Sequence, residues 1–365
     1  MQIIRPTLLL NETIVHRNLL KMAGKAAGCN LRFRPHFKTH QSIEIGKMFR
    51  KAGVSAITVS SLKMAAAFAA DNWQDIIVAF PVNILEMEEI NHLAQRVKLG
   101  LLVEAADTVE YLQIHLKHPV QIWIKVDCGY HRTGVSWREQ DRIVELAGQM
   151  MKSEKMHFRG LLTHAGQSYQ CRSRSEVVEV HKQTLQRMIS VKKRMAEKGF
   201  LNVEVSVGDT PTCSVVEDFS GVQEIRPGNF IFYDLTQRQI GSCSSEDIAV
   251  ALACPVAAVH PERNEVLIYG GAIHLSKEFL VLENGQKIYG EVCLLREDGW
   301  SAPLPETVLT SLSQEHGIIR TTPEQLKYFP PGRLIAVLPV HACLCANLMR
   351  EYTTLQGRLI RTIHR

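Results

Sequence analysis

The chain has 365 residues, 45 % apolar and 22 % charged, with 42 basic and 37 acidic side chains and a net charge of +5. That length exceeds one ordinary core, and the composition lies near globular averages, so two domains or a barrel with an appendage is expected. Charges of both signs are mixed along the chain, which argues against nucleic-acid binding, and no apolar run approaches the ~20 residues that span a bilayer.

Nine cysteines form no CxxC pair, and Arg5 and Pro6 interrupt the apolar residues at the N-terminus. Together these predict a reduced thiol set and a cytoplasmic, soluble protein that binds neither membrane nor nucleic acid. A helical pattern at 12–27 opens the chain. Eight β-branched or apolar runs follow, at 31–38, 56–60, 75–80, 99–104, 120–127, 158–164, 203–208 and 224–232. Amphipathic stretches at 42–52, 62–70, 84–93, 108–116, 138–151 and 176–198 separate them; the basic run from Arg187 to Lys198 reads as the solvated face of the last. Strands alternating with helices imply right-handed crossovers and a parallel sheet, and eight units imply closure.

After about residue 245 the pattern changes to strands at 248–259, 265–269, 287–295, 334–338 and 353–363, separated by Gly, Pro and Asn turns. The expected class is therefore α/β: an N-terminal parallel (β/α)8 barrel over residues 1–244, then a mainly antiparallel β domain over 245–365.

Chemistry-bearing residues collect at the predicted strand ends, the rim where such barrels place their sites. The first strand closes as Arg34-Pro35-His36-Phe37-Lys38-Thr39-His40. A lysine there can form a Schiff base with an aldehyde, or be an ordinary exposed rim lysine. The fifth strand ends in Lys125-Val126-Asp127-Cys128-Gly129-Tyr130-His131-Arg132-Thr133-Gly134, and the sixth in His164-Ala165-Gly166-Gln167-Ser168-Tyr169. The seventh ends in Val207-Gly208-Asp209-Thr210-Pro211-Thr212, and the eighth contains Arg226-Pro227-Gly228-Asn229. Glycines and hydroxyls on adjoining loops present donors to a phosphate, and strands seven and eight are where barrels usually hold one. Near the C-terminus, Pro339-Val340-His341-Ala342-Cys343 reads as an extended segment. His341 and Cys343 would then share a face, an imidazole and thiolate suited to zinc, although a buried core pair also accounts for two such residues.

These motifs resemble a known family. Lys38, the strand-five Lys-Val-Asp-x-Gly-x-x-Arg-x-Gly pattern and Arg226-Pro227-Gly228 are similar to the alanine-racemase fold type of pyridoxal-phosphate enzymes. The stretch from Arg34 to His40 resembles that fold type's D-threonine aldolase and D-serine dehydratase branch. The resemblance implies pyridoxal 5'-phosphate carried on Lys38, with His36 among its contacts, Arg132 near its phenolate oxygen and Tyr169 beside the ring or substrate. Gly208, Asp209, Thr210, Gly228 and Asn229 would surround the phosphate, and Arg226 would face the pyridine nitrogen. Lys38, Arg132 and Tyr169 would be the catalytic residues.

His341-x-Cys343 resembles the metal-binding His-x-Cys of D-serine dehydratases, implying zinc or another divalent metal. Ser313-Gln314-Glu315-His316-Gly317 is similar to an acidic-His-Gly segment of the branch, whereas Tyr269-Gly270-Gly271-Ala272-Ile273-His274 departs from its Asp-Gly-Gly-like stretch. The resemblance further implies a homodimer and a lyase for a small D-amino acid with a β-hydroxyl, releasing a keto acid and ammonia. Retro-aldol cleavage to glycine and an aldehyde is the alternative, followed by racemisation and by a non-catalytic role in cofactor binding.

Overall fold

The computed structural model describes residues 3–364. The chain forms two compact units. One comprises Lys21–Lys38 and Gly46–Gly228; the other comprises the N-terminal residues through Leu20, Thr39–Ile45 and everything from Asn229 onward.

In the first unit, eight strands pair in parallel and in chain order: Arg32–Phe33, Ala56–Val59, Asp75–Pro81, Lys98–Val103, Val120–Asp127, Met156–Leu162, Glu204–Val207 and Glu224–Ile225. The eighth pairs with the first through Glu224 opposite Arg32, and a parallel bridge between His36 and Thr58 joins the first to the second. The sheet thereby closes into the expected barrel. Its first and eighth ladders are shorter than the sequence pattern implies. Pro35 and Pro227 carry no N–H to donate, and Asn229–Ile231 is a 3-10 turn rather than strand.

Helices follow where the 3.6-residue period lies. Ser61 caps Leu62–Ala70 by accepting from the Met64 N–H, and Ser173 caps Arg174–Glu197 by accepting from Glu176. The latter buries Val177, His181, Thr184, Met188, Val191 and Met195 along one stripe; Lys182, Lys193 and Lys198 are exposed, whereas Arg187, expected on the solvated face, is half-buried and donates to Cys128 O (2.7 Å). Between strands seven and eight the connection shrinks to the short helix Thr210–Val215.

In the second unit, six strands close into a mainly antiparallel ring. Their order is Glu265–Tyr269, His316–Arg320, Val308–Leu312, Gly290–Arg296, Leu334–Pro339 and Val250–His260, which pairs back to the first. Thr7–Leu10 adds to this sheet, antiparallel to Val250–His260 and parallel to Glu351–Thr354. The terminal stretch at 353–363 is a hairpin of Glu351–Thr354 and Leu359–Arg361. Thr7–Leu10, Val308–Leu312 and His316–Arg320 were not expected as strands; the first is specified by a partner some 240 positions away, and the other two mix polar and apolar residues.

One expectation is overturned. The stretch after Pro339 is not extended: Ala342–Met349 is an α-helix with His341 as its N-cap residue. Ala342, Cys345 and Ala346 recur at helical spacing on its buried side, and Ala, Leu and Met favour helix over strand. No helix among the described residues is long and apolar enough to cross a membrane, and all nine cysteines are outside disulfides.

Candidate active site

Lys38 leaves the barrel where its first strand ends. That strand is tied on both sides past its formal ladder, by Arg34 N–H to Ile225 O (3.0 Å), His36 N–H to Pro227 O (2.9 Å) and Phe37 N–H to Thr58 O (2.8 Å). Phe37 is fully buried against Phe49, Phe68 and Trp73, with ring centroids 4.9 to 5.1 Å apart, which anchors the strand end. The next residue, Lys38, is exposed, and its N–H lies 3.4 Å from His36 Nδ1.

The strand-five loop is organised by Asp127. Its Oδ1 accepts from the N–H groups of Gly129 (2.9 Å), Tyr130 (3.0 Å) and His131 (3.1 Å). Partial burial opposes the charge, but those donors hold the carboxyl below its usual range. Gly129 and Gly134 take the turn at positive φ, where a side chain would be strained. Arg132 is exposed, its guanidinium 5.2 Å from the centre of the Tyr130 ring, which in turn meets His164 edge-on at 5.9 Å. A Cβ on Gly166 would lie 2.3 Å from the Tyr130 ring, so any other residue there would displace that exposed tyrosine side chain. His164 Nδ1 lies 2.6 Å from Gly208 O, and Tyr169 is 6.1 Å from His164 by ring centroids. Lys125, buried behind this loop, is pushed down to about 8 by burial and by Arg226.

Strands seven and eight meet closely at Gly208, where a Cβ would come 2.8 Å from that of Arg226. Asp209 is buried and caps Thr210–Val215, accepting from Thr212 N–H and from Ser168 Oγ, each at 2.8 Å; burial pushes its carboxyl up. Its side chain thus serves the cap, leaving backbone donors and Thr210 to meet a ligand. Thr210 Oγ1 is buried and has no hydrogen-bond partner among the described residues. Such an orphan suits a phosphate oxygen, so this loop fits the cofactor's phosphate.

Arg226 is buried and donates from Nε to Ser206 Oγ (2.7 Å) and from Nη2 to Thr163 O (2.6 Å). Burial lowers it to about 10 against the pull of Glu224. Ser206 donates to Glu224 (2.7 Å), which also accepts from Arg34 Nε (2.6 Å). Sequence reasoning left Ser206 and Glu224 out, because nothing local marks an inward-facing carboxylate. Gly228 is the last residue of this unit and follows the Pro227 carbonyl that His36 uses.

In the β unit, the side chains of His341 and Cys343 lie close enough to interact although the segment is not extended. A cap residue and a first-turn residue converge there. Burial works against a charge on His341, but Cys343, Asp234 and Glu278 outweigh it and raise the imidazole to about 9. Among the described residues, no group of three or more His, Cys, Asp or Glu side chains could hold a metal. The pair is nevertheless a borderline-soft donor set that fits a divalent metal keeping open positions.

Asn229, expected at the phosphate, donates from Nδ2 to Asp234 (2.6 Å) and toward Cys343 Sγ (3.6 Å). Asp234 escaped the sequence reading; an Asp before the helix Leu235–Ile240 is an N-cap signal that points to it.

A closed parallel barrel with a lysine at its rim and an antiparallel β unit defines the class: this is the architecture of the alanine-racemase fold type of pyridoxal-phosphate enzymes. Residues 11–235 match the alanine racemase N-terminal domain, and residues 249–355 match a putative serine dehydratase domain. The chain is 27 % identical over 383 residues to D-serine dehydratase of Dictyostelium discoideum, covering 95 % of this chain and 92 % of that protein. It is 28 % identical over 360 residues to D-threo-3-hydroxyaspartate dehydratase of Delftia sp. (strain HT23), covering 96 % and 93 %. A D-threo-3-hydroxyaspartate dehydratase solved as a cysteine-to-alanine mutant in the metal-free form superposes with a TM-score of 0.92 at 26 % identity, covering 100 % of this chain and 98 % of that one. The chain belongs to the alanine-racemase family, in its D-serine dehydratase branch, and is a pyridoxal-phosphate-dependent lyase.

Proposed function

We propose that this chain dehydrates a small D-amino acid carrying a β-hydroxyl, of the kind named for its relatives: D-serine or D-threo-3-hydroxyaspartate. The observation that carries the reading is the His341–Cys343 pair, an imidazole and a thiol brought together at one helix start, a metal-type donor set that plain pyridoxal-phosphate chemistry does not need. Pyridoxal phosphate, held on Lys38, supplies the electron sink for a carbanion at Cα. A divalent metal on His341 and Cys343, zinc by the softness of those donors, supplies Lewis acidity toward the departing hydroxyl.

The chain's own groups do the rest. Lys38 Nζ takes the α-proton, Arg132 and Tyr169 orient cofactor and substrate, and His36 supports the lysine's strand end. Gly208, Thr210 and Gly228 present donors to the phosphate while Asp209 fixes their turn, and Arg226 holds the pyridine side. Asn229, next along the chain, is read as serving the Cys343 side instead. The α-proton and the β-hydroxyl leave as water, and the enamine released hydrolyses to a keto acid and ammonia. A homodimer and a cytoplasmic location complete the reading; nine cysteines free of disulfides support the latter.

The test is a panel of D- and L-β-hydroxy amino acids assayed for keto acid, glycine and aldehyde, with and without chelator. Keto acid from D-substrates that disappears on metal removal is expected. Glycine and aldehyde as the products, or full-rate dehydration by metal-free protein, would overturn the assignment.

A further inference from the structure

Two further polar side chains reach the sulfur of Cys343. Thr39 Oγ1 lies 3.3 Å from it and Asn229 Nδ2 lies 3.6 Å from it, within the sulfur hydrogen-bond range. Thr39 is fully buried and held in place by its neighbours: Tyr352 Oη donates to His40 O (2.7 Å), and the Ile363 N–H donates to Gln41 O (2.7 Å). Asn229 is held by Asp234, whose Oδ2 accepts its amide at 2.6 Å and also the N–H of Ala342 at 3.0 Å. That N–H belongs to the residue between His341 and Cys343. The other oxygen of Asp234 accepts from Gln237 N–H at 2.9 Å, which locks the carboxylate to the start of Leu235–Ile240.

We propose that Thr39 and Asn229 are the donors that hold Cys343 as a thiolate metal ligand, with Asp234 as the positioning residue that fixes both the Asn229 amide and the His341–Cys343 turn. The inference rests on the metal reading above and assigns an outer shell to it. Hydroxyl and amide N–H groups are hydrogen-bond donors, and donors gathered on one sulfur stabilise its anion, the form that binds metal. They also drain charge from the sulfur, which keeps the bound metal electron-poor and a stronger Lewis acid. Asp234 is placed to orient the Asn229 donor and the turn that carries Cys343, since its contacts are to the Asn229 amide and the N–H groups of Ala342 and Gln237. Thr39 directly follows Lys38 in the chain.

Apoprotein is titrated with zinc against a chromophoric chelator, and separately with cobalt(II), for wild type, Thr39→Val, Thr39→Ser, His341→Ala and Cys343→Ala. Thr39→Val removes the hydroxyl at constant shape and is expected to weaken zinc binding about 10-fold or more. It should also shift the sulfur-to-cobalt absorption to longer wavelength. Thr39→Ser, which keeps the donor, should bind within about threefold of wild type. A merely structural Thr39 would alter thermal stability without moving the cobalt band, and that result overturns the inference. So does unchanged zinc affinity in Thr39→Val when His341→Ala and Cys343→Ala have both lost the metal. If those two variants bind zinc as wild type does, the metal reading itself fails and takes the outer shell with it.

Discussion

Glu224→Gln tests the polar network buried in the barrel unit. Glu224 is fully buried and accepts from Arg34 Nε at 2.6 Å, Ser206 Oγ at 2.7 Å and Arg32 Nη1 at 3.4 Å. Arg34 is only 1 % exposed, and its other carboxylate partner is Asp75 at 2.6 Å. Removing one partner of a buried ion pair costs about 3–5 kcal/mol, because the remaining charge stays buried without compensation. Asp75 still neutralises part of Arg34, so the lower end, about 3 kcal/mol, is expected. The comparison variant is Glu204→Gln: its partners Arg32 and Arg159 are 37 % and 32 % exposed, and about 1 kcal/mol or less is expected there. Urea unfolding followed by circular dichroism reads both at fixed cofactor concentration. Glu224→Gln turns one of the two acceptor oxygens into an NH2 donor, so Ser206 Oγ and Arg34 Nε can no longer both be satisfied; because Ser206 also faces Arg226 Nε, cofactor retained after dialysis, read by absorbance, should fall as well. Equal losses of stability in the two variants would refute the argument that burial of Glu224 sets the cost.

Purified protein is expected to be yellow and to be fixed irreversibly by borohydride at Lys38; Lys38→Ala should lose both the adduct and turnover, and an adduct mapped to another lysine would reject the assignment. His40 is fully buried, and burial lowers it to about 3 from an ordinary 6.5. The unfolded chain therefore binds the extra proton first, so this contribution to stability is full above about pH 6.5 and is lost as pH falls toward 3, by about 2 kcal/mol at pH 5. His40→Gln should flatten that slope in denaturant titrations at pH 7 and 5, and an unchanged slope would show that His40 is not held neutral. Light scattering at working concentration should report a dimer, and a fully active monomer would contradict the homodimer reading.

The barrel was legible in the sequence because its signals are local. Eight β-branched runs each carry their own period, and the helices between them bury stripes such as Val177 to Met195 that the 3.6-residue repeat announces. The places of Lys38, Arg132 and Tyr169 after strand ends were likewise legible, since a parallel barrel sends every strand's C-terminal end to one rim, and strand position alone selects such candidates. What the tertiary structure decided is whatever depends on a partner distant in the chain. Thr7–Leu10 is a strand because Val250–His260 and Glu351–Thr354 flank it, and no tetrapeptide encodes that. The alternation of an extended segment puts His341 and Cys343 on one face, but packing of Ala342, Cys345 and Ala346 winds the segment into a helix, so that the two residues stand at its N-terminal start instead of across a pleat. Asp234, Glu224 and Thr39 gain their meaning from contacts 108, 190 and 304 positions away, because a buried polar group is defined by the partners that satisfy it.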